Sequence, residues 1–372
     1  MNPIHPVKMP KWGLAMETGK IVEWHVDVGD AVNEGDDLLD IETSKITNVC
    51  EAAQSGTLVR ILAQPDDELP VGSLLGVISD GEVSDTDIDT FIEGFVVEAP
   101  DEDDAANAGP ELRTVAVRDG SLRVAVTESD TDGTPAILLH GFGGDVDNWA
   151  GVQAALAEHR SVFAVELPGH GQSSKSVGGG TLSDLTDRVM DAVDALDIGK
   201  VSLVGHSLGG AIAARVAERL GDRAEVLVLI CPAGLPDGTV DAEYLDAFVA
   251  AGRARDLKEP IRKLFSNPDL ATRDLLNDLI KAKRLDGAQA ALESIRDGLK
   301  GGDASYGELA SVLADVSART AMLGSSDDRI VGPPDASALP DRVALTVMEK
   351  AGHMPHVERP VETATFINDA LG

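Results

Sequence analysis

The chain has 372 residues, 43% hydrophobic and 26% charged, which fits folded domains and gives length enough for two or three of them. Lys and Arg total 31 against 64 Asp and Glu; the formal net charge of −33 repels phosphate backbones and anionic headgroups and argues against nucleic-acid and membrane-surface roles. No apolar run reaches the length of a membrane span, and the N-terminal stretch lacks the apolar core of a signal peptide. Cys50 and Cys231 cannot build a disulfide framework and have no metal-ligand spacing around them, so no metal site is expected. A soluble cytoplasmic protein is the expectation.

Residues 1–80 read as a small all-β module made of two similar halves. Gly19-Lys20-Ile21-Val22 falls on Gly56-Thr57-Leu58-Val59 at an offset of 37 residues, and Asp30, Gly35, Leu38 and Ile41 fall on Asp67, Gly72, Leu75 and Ile78. Such a repeat predicts two copies of one strand pattern facing each other across a pseudo-twofold axis. Short β-type runs at Lys20–His25, Asp37–Ile41, Thr57–Leu62 and Leu74–Ile78 are separated by Gly and Asp turns. The first half ends in Asp40-Ile41-Glu42-Thr43-Ser44-Lys45-Ile46-Thr47, where the second has only Ser79-Asp80-Gly81. A lone turn lysine is ordinarily a solvated surface residue. Here the repeat, Pro10–Gly13, Gly19, Gly29-Asp30, Gly35-Asp36, Glu42–Lys45 and Gly56 together resemble a lipoyl domain over residues 5–80. The resemblance implies lipoate in amide linkage on Lys45; the family usually has Asp where Ser44 stands. A biotin carrier shares that fold but would carry a Met-Lys-Met type tip, which is absent.

Residues 81–112 read as an acidic linker, since no Lys or Arg occurs from Ile61 to Glu111. Within it, Ile88, Phe91, Ile92 and Phe95 recur at helical spacing behind Ser84, which predicts a short N-capped helix, packed on its own chain or, as the alternative, against a partner subunit. A flexible stretch of about 30 residues would have an end-to-end distance of roughly 30 Å.

From residue 113 to 372, apolar strands alternate with helical patterns. Runs at Ala136–Leu139, Val162–Leu167, Val201–Val204, Val226–Ile230, Ala318–Leu323 and Val343–Met348 predict a mostly parallel sheet, with helices at Asn148–Glu158, Leu182–Leu196, Leu208–Leu220 and Val361–Leu371. Thr114–Val117 and Leu122–Thr127 flank Asp119-Gly120 as an opening hairpin. The strand at Val201 runs into Gly205-His206-Ser207-Leu208-Gly209 and then an Ala-rich helix, the strand–turn–helix setting in which G-x-S-x-G exposes a nucleophilic serine. His140-Gly141-Phe142-Gly143-Gly144 follows an earlier strand, so the N–H groups of Phe142 and Leu208 are candidate oxyanion donors. Gly324-Ser325-Ser326-Asp327-Asp328 offers the acid, and Ala351-Gly352-His353 the base, with His356 the nearby alternative. Counting from Gly324 favours Asp327, and aligning the following Arg-Ile-Val favours Asp328. His140, His170 and His206 read as structural. Ser, then Asp, then His is the chain order of α/β-hydrolases, which the region resembles together with Leu167–Ser173 and Glu358.

Residues 232–315 interrupt the sheet with amphipathic patterns around Tyr244, Phe248, Ile261, Phe265, Leu275 and Leu279, a helical cap over the serine. Lys258, Arg262, Lys263, Arg273, Lys281, Lys283 and Arg284 are expected either as a solvated face or as a site for the phosphates of coenzyme A. Joined, the two regions resemble the dihydrolipoyl acetyltransferase component of bacterial acetoin dehydrogenase complexes. That resemblance implies acetyl transfer from dihydrolipoyl-lysine to coenzyme A, and two partners: a thiamin-diphosphate-dependent acetoin dehydrogenase component and a dihydrolipoyl dehydrogenase. The competing readings are a lipoyl-tethered thioesterase or ester hydrolase, and a non-catalytic carrier or scaffold.

Overall fold

In a computed structural model of the chain, which describes residues 4–10, 18–42, 47–81, 83–95, 109–235, 240–302 and 309–372, the 37-residue repeat becomes two four-stranded sheets. Its strands are β1 (Ile4–Lys8), β2 (Thr18–Trp24), β3 (Ala31–Val32), β4 (Asp37–Glu42), β5 (Thr47–Glu51), β6 (Gly56–Ile61), β7 (Glu68–Pro70) and β8 (Leu74–Ser79). One sheet has the order β1-β8-β6-β3 and the other β5-β4-β2-β7. Exchanging each strand for its repeat mate, β1 for β5 through β4 for β8, converts the first order into the second. This is the pseudo-twofold that the repeat predicts. The turns obey it too: Gly35 and Gly72 take φ of +87° and +81°, and the Asp30 and Asp67 carboxylates accept the N–H of Asp27 and Gln64 at 2.9 and 2.7 Å. Ile21, Leu38 and Ile41 bury against Leu58, Leu75 and Ile78, so each half supplies the other's core. Residues 43–46, which join β4 to β5, lie outside the described residues, and Lys45 lies among them.

The predicted linker helix forms as α1 (Asp85–Gly94), closed by a reciprocal Ser84–Asp87 capping box. It docks on the β module of its own chain: Ile88 is buried, Arg60 of β6 reaches Asp85 and Asp89 at 3.4 and 3.3 Å, and the Lys8 ammonium lies 6.0 Å from the Phe95 ring centre. Exposed ion pairs contribute about 1 kcal/mol or less, so the apolar contact is the main anchor. The chain divides into two compact units, Met1–Gly109 and Pro110–Gly372, and α1 belongs to the first.

The second unit holds an eight-stranded sheet, formed by β9 (Glu111–Val117), β10 (Gly120–Thr127), β11 (Ala136–Leu139), β12 (Val162–Val165), β13 (Val201–His206), β14 (Ala224–Ile230), β15 (Arg319–Ser325) and β16 (Val343–Met348). Its order is β16-β15-β14-β13-β11-β12-β10-β9. β9 and β10 form the antiparallel opening hairpin, and the strands from β12 to β16 are parallel. Every residue of β11, β12 and β13 is buried, as strands covered on both faces require. The connecting helices are α2 (Ala150–Ala157), α3 (Leu182–Ala195), α4 (Leu208–Leu220), α10 (Pro355–Glu358) and α11 (Pro360–Leu371). The helix expected from Asn148 begins instead with a 3₁₀ turn at Val146–Trp149, because Asp145 caps that turn. Between β14 and β15 lie α5 (Ala242–Ala250), α6 (Ala254–Arg262), α7 (Arg273–Lys283), α8 (Ala288–Asp297) and α9 (Leu309–Asp315). No helix among the described residues is long and apolar enough to cross a membrane.

Candidate active site

Ser207 sits between the end of β13 and the start of α4 with φ +52° and ψ −118°, a conformation that a residue with a side chain adopts only when its surroundings impose it. The imposing contacts are backbone to backbone. A Cβ at Gly205 would lie 2.3 Å from the carbonyl oxygen of Gly209, and one at Gly209 would lie 2.2 Å from that of Leu139. Both positions therefore need glycine, and the turn can be no looser. Leu208 opens α4, so its N–H is among the first-turn donors that have no partner within the helix.

The parallel register carries the other partners to the same edge. His353 follows β16, and its Nε2 lies 2.9 Å from Ser207 Oγ; its Nδ1 lies 2.8 Å from Asp328 Oδ2, in the loop after β15. The N–H groups of Ile330 and Val331 donate to the other Asp328 oxygen at 2.8 and 3.0 Å. Burial alone would raise the Asp328 carboxyl, but the His353 ring and these two donors outweigh it and hold the group below the usual carboxylate range. An ionised Asp328 fixes the tautomer: Nδ1–H donates to it, and Nε2 is left to accept the Ser207 hydroxyl proton. Asp327 goes elsewhere. It is exposed, with its backbone N–H on the Ala351 carbonyl and its carboxylate 3.1 Å from Ser326 Oγ. Of the two acids left open by spacing, the fold brings Asp328 to His353.

His356 makes no contact with Ser207 Oγ among the hydrogen bonds of the described residues. Its ring stacks 4.8 Å from Trp149 and 4.4 Å from His206, and neither ring nitrogen has a hydrogen-bond partner there. The remaining histidines shape the backbone. His206 Nε2 lies 2.8 Å from the His353 carbonyl oxygen, tying His353 to the strand that leads into Ser207. The Nε2 of His140 accepts the Leu167 N–H at 2.9 Å, and that of His170 accepts the Gly143 N–H at 3.0 Å. Burial holds the His140 ring down at about 4 and His170 and His356 at about 3, so all three stay neutral; His206 is held low by the same cause. The His170 contact orients the loop that carries Phe142. That loop packs on Ser207, since a Cβ at Gly141 would lie 3.1 Å from the Ser207 Cβ. Glu358 braces the segment before His353, its carboxylate accepting the N–H of Ser266 and, at 3.1 Å, that of Gly352.

A cavity of about 720 Å³, its mouth included, opens over Ser207 and His353. Phe142, Tyr244, Leu245, Phe248, Leu264 and Leu279 are among its walls, so the segment after β14 does cover the serine. Among the described residues, no Lys or Arg lines it. The basic residues of that segment are not one open face. Lys263 pairs with Asp241 and Glu243, Arg262 with Glu259, and Lys281 with Asp278. Lys283 corrects the sequence expectation most sharply: it is buried, its ammonium donates to the carbonyls of Phe248 and Val249 at the end of α5, and it lies 4.9 Å from the Phe248 ring centre. Burial pushes it down to about 8. Cys231 also has company that its spacing did not foretell. Its thiol, an Asp328 oxygen and a His353 nitrogen lie within 4.8 Å of one another.

Comparisons with known proteins agree with both units. Residues 5–78 match the family described as biotin-requiring enzymes, and residues 136–366 match the alpha/beta hydrolase family. The chain is 40% identical over 359 residues to the dihydrolipoyllysine-residue acetyltransferase component of the acetoin cleaving system of Pseudomonas putida, with 96% of each chain covered. It is 38% identical to the protein of that description from Cupriavidus necator, covering 99% of this chain and 98% of the other. Among solved structures, a meta-cleavage product hydrolase from Pseudomonas fluorescens superposes with a TM-score of 0.61 at 20% identity, over 69% of this chain and 96% of its own, a likeness of fold. A carrier module on one unit, a Ser–His–Asp chain on the other and near-full-length relatives of one description lead to a single conclusion: the chain belongs to the family of dihydrolipoyllysine-residue acetyltransferase components of acetoin cleaving systems.

Proposed function

We propose that the chain moves an acetyl group from a dihydrolipoyl thioester to the thiol of coenzyme A through an acyl-enzyme on Ser207, with His353 as base, Asp328 as orienting acid, and the N–H groups of Phe142 and Leu208 as oxyanion donors. The observation that carries this reading is the unbroken hydrogen-bonded chain from Ser207 Oγ through His353 to a buried, ionised Asp328. In this reading residues 1–80 are the carrier domain, 81–112 the linker and 113–372 the acyltransferase, with a cap near 232–315. Lys45 would hold the lipoyl group, which when attached supplies a mobile dithiol able to present an acyl group as a thioester. Tethering the two domains raises the donor's effective concentration toward the millimolar range. The system-level partners are a thiamin-diphosphate enzyme that cleaves acetoin and a dihydrolipoyl dehydrogenase.

Each residue has a defined task. His353 Nε2 takes the Ser207 proton as Oγ attacks the thioester carbonyl, and the loop at Phe142 and the start of α4 hold the oxygen that becomes negative. His353 then gives that proton to the departing sulfur. The coenzyme A thiol passes its own proton to His353 and attacks the acetyl-serine. Asp328 keeps Nε2 aimed at Oγ throughout and stabilises the ring when it is charged.

Acetyl-dihydrolipoamide supplied with and without coenzyme A tests the reading, by quantifying acetyl-CoA against free acetate. Acetyl-CoA in excess, lost in Ser207→Ala, is expected. Acetate formed whether or not coenzyme A is present would make the protein a hydrolase.

A further inference from the structure

The walls of the space over Ser207 are more extensive than the group the proposed reaction moves can cover, since an acetyl group has only three heavy atoms. The volume of about 720 Å³ counts the open mouth, so the lining is the more informative quantity. Apart from Asn148, Tyr244 and two histidines, the walls beyond the serine are apolar, contributed by Leu245 and Phe248 of α5, Leu264 after α6, Leu275 and Leu279 of α7, and Leu299 after α8. A nucleotide is an unsuitable occupant, because among the described residues no Lys or Arg lines the space to meet phosphates. A site of this size and lining suits a flexible hydrocarbon chain attached to the carbonyl that Ser207 attacks.

We propose that the site also transfers straight-chain acyl groups of about four to eight carbons, the chain lying along the apolar walls of α5 and α7. This inference rests on the acyl-serine reading above and names its substrate class. The chemistry balances without a further reactant. Ser207 Oγ bonds to the acyl carbon as the C–S bond breaks, and the Oγ proton passes through His353 Nε2 to the leaving thiolate. The coenzyme A thiol then gives its proton to His353 and forms the new C–S bond, and Oγ leaves with that proton.

The test is a series of S-acyl-dihydrolipoamides with acetyl, butyryl, hexanoyl and octanoyl groups, each given to the full chain with coenzyme A. Burying each added methylene should raise kcat/KM about fourfold, or about 10²-fold from acetyl to hexanoyl. A flat or falling series with acetyl still transferred overturns the inference alone. No transfer from any donor, acetyl included, overturns the acyl-serine reading and this inference with it. Leu279→Trp, which fills the cavity, should cut hexanoyl transfer at least about tenfold more than acetyl transfer, since several buried methylenes are displaced. An equal loss of both from a folded variant counts against the proposal, and if the variant does not fold, the wild-type series decides.

Discussion

Two adjacent aspartates separate what spacing can determine from what it cannot. Asp327 and Asp328 fit the chain order equally well, because one residue of difference in a loop leaves no mark on composition. In three dimensions that residue decides between solvent and the imidazole: Asp327 is exposed, while Asp328 is buried 2.8 Å from His353 Nδ1. Asp328→Asn should therefore lower kcat by roughly 10⁴-fold, because an amide favours the wrong imidazole tautomer. Asp327→Asn should change it by no more than about twofold, as an exposed substitution would. Steady-state kinetics on both variants checks the pair, and equal losses would contradict a unique orienting acid. Ser207, His353, His140, His170 and His206 stand out in the sequence because each sits beside or near glycines in a fixed motif. The Glu358 contact with the Gly352 N–H was visible only as a family resemblance, and its task is apparent only from the fold.

At the scale of elements, the strand and helix at the nucleophile were readable almost to the residue, because a buried parallel strand is a continuous apolar run and its helix begins where the glycines end. The short strands β1, β3, β5 and β7 were not. They span two to five residues, include polar ones in all but β3, and are held by pairing with partners that the sequence alone does not reveal. Helix α8 escaped notice because two of its four buried positions, Ala288 and Ala291, are alanines and give only a weak apolar stripe. Two predictions belong here. Gly205→Ala forces a Cβ to 2.3 Å from backbone and should destabilise the hydrolase unit by about 4 kcal/mol or more, seen as a large fall in the urea midpoint or as insoluble protein. Lys283→Met leaves the Phe248 carbonyl without its ammonium donor, while that of Val249 keeps Gln289 Nε2 at 3.1 Å, and should cost about 1–3 kcal/mol in the same assay. No loss of stability would indicate that Lys283 is the solvated cation suggested by its sequence neighbours.

For the whole molecule, the buried histidines predict a steep acid limit. His140, His170, His206 and His356 are held neutral in the folded unit, with folded values near 3 to 4 where a figure applies, whereas in the unfolded chain they titrate near 6.5. Below about pH 6.5 the unfolded chain thus binds more protons than the folded one, so stability falls as pH drops toward 4. Each histidine contributes up to about 1.4 kcal/mol per pH unit in that window. Glu166 and Glu358, whose carboxyls burial pushes up, act in the opposite sense but are two groups against four. Calorimetry at pH 7.5, 6 and 5 should show the hydrolase transition falling steeply; a constant Tm would mean that the rings are solvated. The division of the chain into two units, one carrying a 37-residue repeat and the other a serine elbow, underlies the proposal that the acyl group rests on Ser207 between donor and acceptor. The most direct measurement is to mix the full chain with acetyl-dihydrolipoamide, omit coenzyme A, quench within one turnover and map acetylated peptides by mass spectrometry. Acetyl on Ser207 that disappears when coenzyme A is added, with acetyl-CoA appearing in equal amount, is the expected result. Transfer to coenzyme A at the full rate with no acetyl ever found on Ser207 would contradict it.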